Sequence, residues 1–169
     1  MFIDILSQPI VATTISVISM MIFAVVFLFS AKNWREIPSV FIISTVLFVN
    51  FVLANNALVN VLSAPTQPDS DFYLRWVRYD AFSIISVVLL HLVLRVKIEK
   101  ITKICMWLLL ANTVYYLSMH FDIIVNGNRA PWLLWTLYTP IIHLVELSVA
   151  ASLFWFTAKN FTLKKSVTQ

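Results

Sequence analysis

One glycine and one cysteine occur in 169 residues, and only 12% of the side chains carry charge. Each shortage closes off a class of protein. The lone Cys105 has no partner for an internal disulfide, and there is no CxxC or Cys/His spacing for a metal or for thiol–disulfide exchange. The single glycine, Gly127, leaves one inexpensive place for a left-handed turn. The charge deficit decides most. A soluble domain carries about 25% charged residues. A chain that is 60% hydrophobic, with a mean hydropathy of +0.88, cannot cover itself with polar surface in water. It belongs in a bilayer.

What is present reads as spans and connectors. A helix needs about 20 mostly apolar residues to cross a bilayer. Five stretches qualify, at about residues 9–31, 38–62, 72–96, 101–125 and 131–158. Pro9, Pro38 and Pro131 sit at span starts, where a missing N–H goes unnoticed. Residues 64–69 form a turn cluster, and Asn126-Gly127-Asn128 forms another that closes the fourth helix. The N-terminus carries Asp4 and no basic region, and its apolar run is too long for a signal peptide, so the first span is expected to be retained. No internal repeat, low-complexity segment or soluble domain is visible. The expectation is all-α: a polytopic bundle of five transmembrane helices forming a single transmembrane domain over 1–169.

The net charge of +4 does not mark a nucleic-acid surface, because the cations are grouped in connectors rather than spread over one polar face. Lys32, Arg35, Arg95, Lys97, Lys100, Lys103, Lys159, Lys164 and Lys165 fall on one side, and only Arg75, Arg78 and Arg129 on the other. The second side also holds Asp4, Asp69, Asp71, Asp80 and Asp122. The positive-inside rule then puts the N-terminus outside and the C-terminus inside, an arrangement that needs an odd number of spans. The tryptophans, mostly near span ends, fit an interfacial belt. Short connectors and no targeting peptide point to a bacterial inner membrane.

Given that direction and a rise of about 1.5 Å per residue, side-chain depth follows. Arg78 and Asp80 on the third span, Asn55, Asn56 and Asn60 on the second, and Tyr115, Tyr116, His120 and Asp122 on the fourth lie in the outer half. The fifth span adds Trp135, Tyr138 and Thr139 there, then His143 and Glu146 near mid-depth. Asn56 and Asn60 share a face, and Asn112, Tyr115, Met119 and Asp122 form a stripe at helical period. Thr139, His143, Glu146 and Ala150 form another; Asp80, Ile84, Val87 and His91 a third. An ionised group facing lipid at mid-depth costs about 2.5–3.5 kcal/mol, so such residues turn toward the bundle interior. The expectation is a polar pocket open to the outside and narrowing toward Glu146. Asp80 is expected to meet an arginine or His120 from a neighbouring helix, and His143 to share a proton with Glu146. Pro140 removes one backbone bond and frees the carbonyl of Thr136.

Arg78-Tyr79-Asp80 resembles the Arg-Tyr-x-Asp stretch of microbial rhodopsins, where Arg and Asp belong to the counterion cluster. The spacing is one residue shorter, and a rhodopsin needs seven spans and a mid-membrane lysine. Every lysine here lies at a span end or in the tail, so nothing is carried over.

The functional expectation is binding or passage of a small polar or charged species, protons or cations, through Asn56, Asn60, Arg78, Asp80, Asn112, Tyr115, His120, Asp122, Tyr138, His143 and Glu146. The alternative is a non-catalytic membrane subunit or scaffold that holds a partner membrane protein, or a homo-oligomer packed through Ser148 and Ser152. In that reading Asn55, Asn56 and Asn60 are interhelical glue. A third alternative, a membrane enzyme acting on lipid or quinone through a His/Asp/Glu site, ranks last because no recognised catalytic spacing appears. His143-x-x-Glu146 could supply two metal ligands on one helical face, but His91, His120 and His143 lie at three depths. No cofactor is implied.

Overall fold

The computed structural model describes the backbone of residues 9–62, 71–130 and 132–167, with side chains for 14–53, 71–130 and 132–161. Five helices follow one another: α1 Pro9–Lys32, α2 Pro38–Leu62, α3 Phe72–Val93, α4 Lys100–His120 and α5 Leu133–Val167. A single π turn, Phe121–Val125, continues α4. Each helix packs on its neighbours in sequence, and α5 closes back on α1, so the five form a ring. The second helix also touches α4 and α5 across the middle. That position explains its unusual burial: Ile37, Ser39, Val40, Ile42, Ile43, Ser44, Val46, Leu47 and Asn50 are all inside. A helix apolar nearly all round is one that is surrounded.

The other helices show one buried stripe and one apolar outer face. On α1 the inward residues are Ile15, Ser19, Phe23, Val26 and Ser30, at helical spacing. Outward stand large apolar side chains such as Met21, Leu28, Phe82, Leu92, Val93, Trp107, Leu144 and Trp155. In water these would form a very large sticky surface; against acyl chains they are matched. Four helical stretches, Thr14–Lys32, Phe72–Val93, Lys100–Val125 and Leu133–Phe161, are long and apolar enough to cross a membrane. The described part of α2, Pro38–Leu53, is a shorter apolar helix. The chain is an integral, multi-pass membrane protein.

Two helix ends differ from the sequence reading. The third span was expected to reach residue 96, but α3 stops at Val93. Arg95 there adopts a left-handed φ of 54°, and the amide of Val96 turns back to the carbonyl of His91 at 3.0 Å while that of Arg95 reaches Leu92 at 3.2 Å. This is the two-bond helix stop normally built on glycine. Gly127, with φ 66°, performs the same task after the π turn, as expected. The fifth helix runs on past residue 158 to Val167, because no glycine or proline intervenes and Asn160 donates back to the carbonyl of Phe156 at 2.9 Å. The turn cluster at 64–69, and the side chains of Asn55, Asn56, Asn60, Lys164 and Lys165, lie outside the described residues.

A polar clasp ties the cation-rich end of the ring. The Nδ1 of His91 lies 2.7 Å from the carbonyl of Val87, and a carbonyl only accepts, so Nδ1 bears the proton. The ring's Nε2 lies 2.8 Å from the Ser39 hydroxyl. Ser39 also hydrogen-bonds the Thr102 hydroxyl at 2.8 Å and accepts from the backbone N–H of Glu99 at 3.1 Å. One hydroxyl thus joins the start of α2, the end of α3 and the start of α4, and its single proton and both lone pairs are in use. A buried serine so occupied is a fastener, not a nucleophile.

Because Arg95 carries a side chain in left-handed backbone, Arg95→Gly should stabilise the protein by about 1 kcal/mol, and Arg95→Val should destabilise it. Thermal unfolding in detergent checks both signs; equal melting for the glycine and valine variants would contradict the strain.

Candidate functional site

Away from the clasp, four helices bring polar groups into contact in one layer that holds two carboxyl groups. Asp80 on α3 accepts from the Asn112 amide of α4 at 2.9 Å. Glu146 on α5 lies 3.5 Å from the hydroxyl of Ser16 on α1, and 3.5 Å from Nδ1 of His143 one turn away. The His143 contact lacks hydrogen-bond alignment, so Nδ1 has no bonded partner. Asp80 and Glu146 are near enough for their charges to act on one another. One turn along α3, Ser83 accepts from Asn50 of α2, whose amide also donates to the carbonyl of Tyr79 at 2.9 Å. No lysine or arginine pairs with either carboxyl group among the described residues.

Aromatic side chains occupy the end of the bundle above this layer, where an open mouth was expected. Tyr73, Tyr116, Met119 and Ile123 form a buried cluster with Trp76, Tyr115, Trp135 and Tyr138 against it. Trp76 stacks on Tyr116 with centroids 6.2 Å apart, and Tyr116 meets Tyr138 edge-on at 5.9 Å. Below the layer the core is dry: Val87, Ile43, Val46, Leu109, Cys105, Val149 and Leu153 fill it down toward the His91 clasp.

Of the residues singled out from sequence, the structure brings together Asp80, Asn112, His143 and Glu146, with Tyr138 close enough to feel the charge of Asp80. Others stand elsewhere. Arg78 is exposed and lies 3.7 Å from Asp71, so it neither enters the layer nor meets Asp80. Two residues apart on one helix, Arg78 and Asp80 point to different faces. The partner expected for Asp80, an arginine or His120, is in fact the neutral amide of Asn112. Asp122 anchors the α4–α5 connector: the indoles of Trp135 and Trp132 donate to it at 2.6 and 2.8 Å, and Asn128 at 3.1 Å. Tyr115 donates to the carbonyl of Leu134 at 3.0 Å, fastening α4 to α5. His120 packs on Phe121, and its Nδ1 is buried without a partner. Asn56 and Asn60 lie outside the described side chains.

Sequence reasoning passed over Ser16, Asn50 and Ser83. Their signal was the periodic run of buried small polar positions on α1 and the spacing of Ser83 from Asp80, both easily taken for packing. Several buried polar atoms in and beside the layer have no partner. Asn112 and Asn50 are each only 9% exposed, yet both carbonyl oxygens are unpartnered, as are Oε1 of Glu146 and the Ser19 hydroxyl. Buried polar groups in native proteins are nearly all bonded, so such a cluster calls for a bound donor, water or cation. No group of three or more His, Cys, Asp or Glu residues converges on a metal position among the described residues. No protein-family model, curated protein or solved structure matches the chain.

Removing the amide from Asp80 tests whether the pair is coupled. Asn112→Leu should cost about 1–3 kcal/mol by stranding the carboxyl group, and adding Asp80→Leu should recover part of that loss. Additive single and double variants in a thermal-unfolding cycle would show no coupling. At the clasp, partial burial pushes the Glu99 carboxyl above its ordinary 4.5, with His91 opposing the shift. The folded state therefore holds that proton more tightly, and its contribution to stability is complete below pH 4.5 and fades as pH rises through the folded value. Glu99→Gln should flatten that segment of the stability–pH profile; an unchanged slope would refute the assignment.

Proposed function

We propose that the protein binds or passes a small charged species, a proton or a cation, at the Asp80–Glu146 layer. The observation that carries this is the pairing of two interior carboxyl groups with no fixed positive charge to match them. An ionised carboxylate at lipid depth costs several kcal/mol unless a proton, a cation or a salt bridge neutralises it. Salt bridges to lysine or arginine are missing there among the described residues, so exchangeable charge is what remains. His143, one turn from Glu146, is the group to hand a proton on. Tyr138 and Tyr115 stand between the layer and the Asp122 end, where movement of their rings would open a path.

The five-span topology completes the reading. With α2 crossing alongside the other four, the lysine-rich connectors and the His91 clasp face inward, and Asp122 with its two indoles sits at the outer interface. The carboxyl layer is then reached from outside, and the dry band around Val87 blocks the inner side.

Proteoliposomes carrying the full chain test this directly. Under an imposed pH or cation gradient the protein should raise flux over empty vesicles, and Glu146→Gln should lower the initial rate about tenfold or more. A thiol at Asn128 in a Cys105→Ser background, labelled with an impermeant reagent, reports sidedness in the same vesicles. No flux for any gradient, together with recovery of a stoichiometric membrane partner, would favour the scaffold alternative.

A further inference from the structure

The chemistry of the layer narrows the species further, an inference that rests on the reading just given. Every unpartnered oxygen of the amide and carboxyl groups there is an acceptor. The carbonyl of Asn112 belongs to a side chain nine-tenths buried and has no partner, while one N–H of its amide goes to Asp80. Oε1 of Glu146 is likewise unpartnered, and its other oxygen has only the distant Ser16 hydroxyl and the misaligned His143. A guest that meets these oxygens donates hydrogen bonds, and one that also balances carboxyl groups without a lysine or arginine partner carries positive charge.

The surrounding rings say which kind of cation. Tyr116 stands one turn beyond Asn112 on α4 and meets Tyr138 of α5 edge-on at 5.9 Å, in the aromatic cluster that borders the layer. Aromatic faces attract cations through their quadrupole, and organic ammonium ions are the species recognised by carboxylates set among aromatic rings. An alkali metal ion wants a different shell. Potassium is held by rings of oxygens that replace its hydration sphere, whereas this layer offers a few oxygens at separate positions on different helices, with aromatic rings above. Directional N–H donors suit scattered acceptors; a bare spherical ion does not.

We propose that the Asp80–Glu146 layer takes a protonated nitrogen, either ammonium or a small primary ammonium ion, in preference to an alkali metal ion. Asn112 and Glu146 accept its N–H groups, Asp80 balances its charge, and Tyr116 and Tyr138 cover its remaining side.

The test uses the full chain in lipid nanodiscs, titrated with ammonium, methylammonium, potassium or sodium chloride at one pH and matched ionic strength. Thermal stability is read at each concentration. Ammonium and methylammonium should stabilise the wild type saturably, with half-saturation at least about tenfold lower than for potassium. Asp80→Asn and Glu146→Gln should each lose that response. Potassium or sodium acting as strongly as ammonium would overturn the proposal, and this comparison needs no variant to fold. An ammonium response retained in both variants would also overturn it. Flux in liposomes that depends on Glu146 and a pH gradient alone, with no ammonium response, would defeat this inference and leave the broader reading standing. Absence of all flux and all ion-dependent stabilisation would remove both.

Discussion

A carboxyl group inside a lipid-embedded bundle has no water to fall back on, and the packing of this protein is organised around two of them. Asp80 on α3 and Glu146 on α5 face the interior from either side of α4, each supplied with weak or neutral donors. Surface carboxylates would settle such a deficit with solvent. Here the deficit is carried into the folded state, because α3 and α5 need their outer faces for lipid and have only the inner face left for polar side chains. The closure of α5 on α1 brings Ser16 to Glu146, and the packing of α3 on α4 brings Asn112 to Asp80. The ring thus fixes which groups meet.

The interior is layered along its axis, and the layers differ in how completely their polar atoms are used. At one end the Ser39 hydroxyl exhausts its bonding capacity between His91, Thr102 and Glu99. At the other end Asp122 is saturated by two indoles and an amide. Between them lies a dry band centred on Val87, then the carboxyl layer, then the tyrosines. Only the carboxyl layer leaves several buried acceptors open. The saturated ends lock the helices in place, and that rigidity allows the unsaturated middle to persist without collapsing around its own unmet bonds.

The helices were legible in the sequence because prolines and the single glycine mark their limits, and because apolar runs of membrane length have few other uses. The depth of the polar residues was legible too, since it follows from counting along a helix. What could not be read was rotation. Arg78 and Asp80 share a depth, yet one faces Asp71 at the surface and the other faces Asn112 inside. Asp122 falls on the same stripe as Asn112, but its neighbour after the turn is a pair of tryptophans. The clasp joins Ser39 to residues 52 and 63 positions away, with no local signature to announce it. Arg95 was equally hidden, because a left-handed residue with a long side chain looks like any other cation near a span end.

The three histidines show why bonding state separates function from support better than residue type does. His91 is buried with both ring nitrogens engaged, one by a backbone carbonyl and one by a hydroxyl, so neither is open to a further partner. His120 borders the tryptophan-anchored connector, where its neighbours are aromatic rings and no carboxyl group is bonded to it among the described residues. His143 stands 3.5 Å from Glu146 with a free nitrogen, so a proton placed between them would make a contact instead of breaking one. The proposed exchange therefore uses the open nitrogen of His143 beside Glu146, whereas the nitrogens of His91 serve to hold helices together.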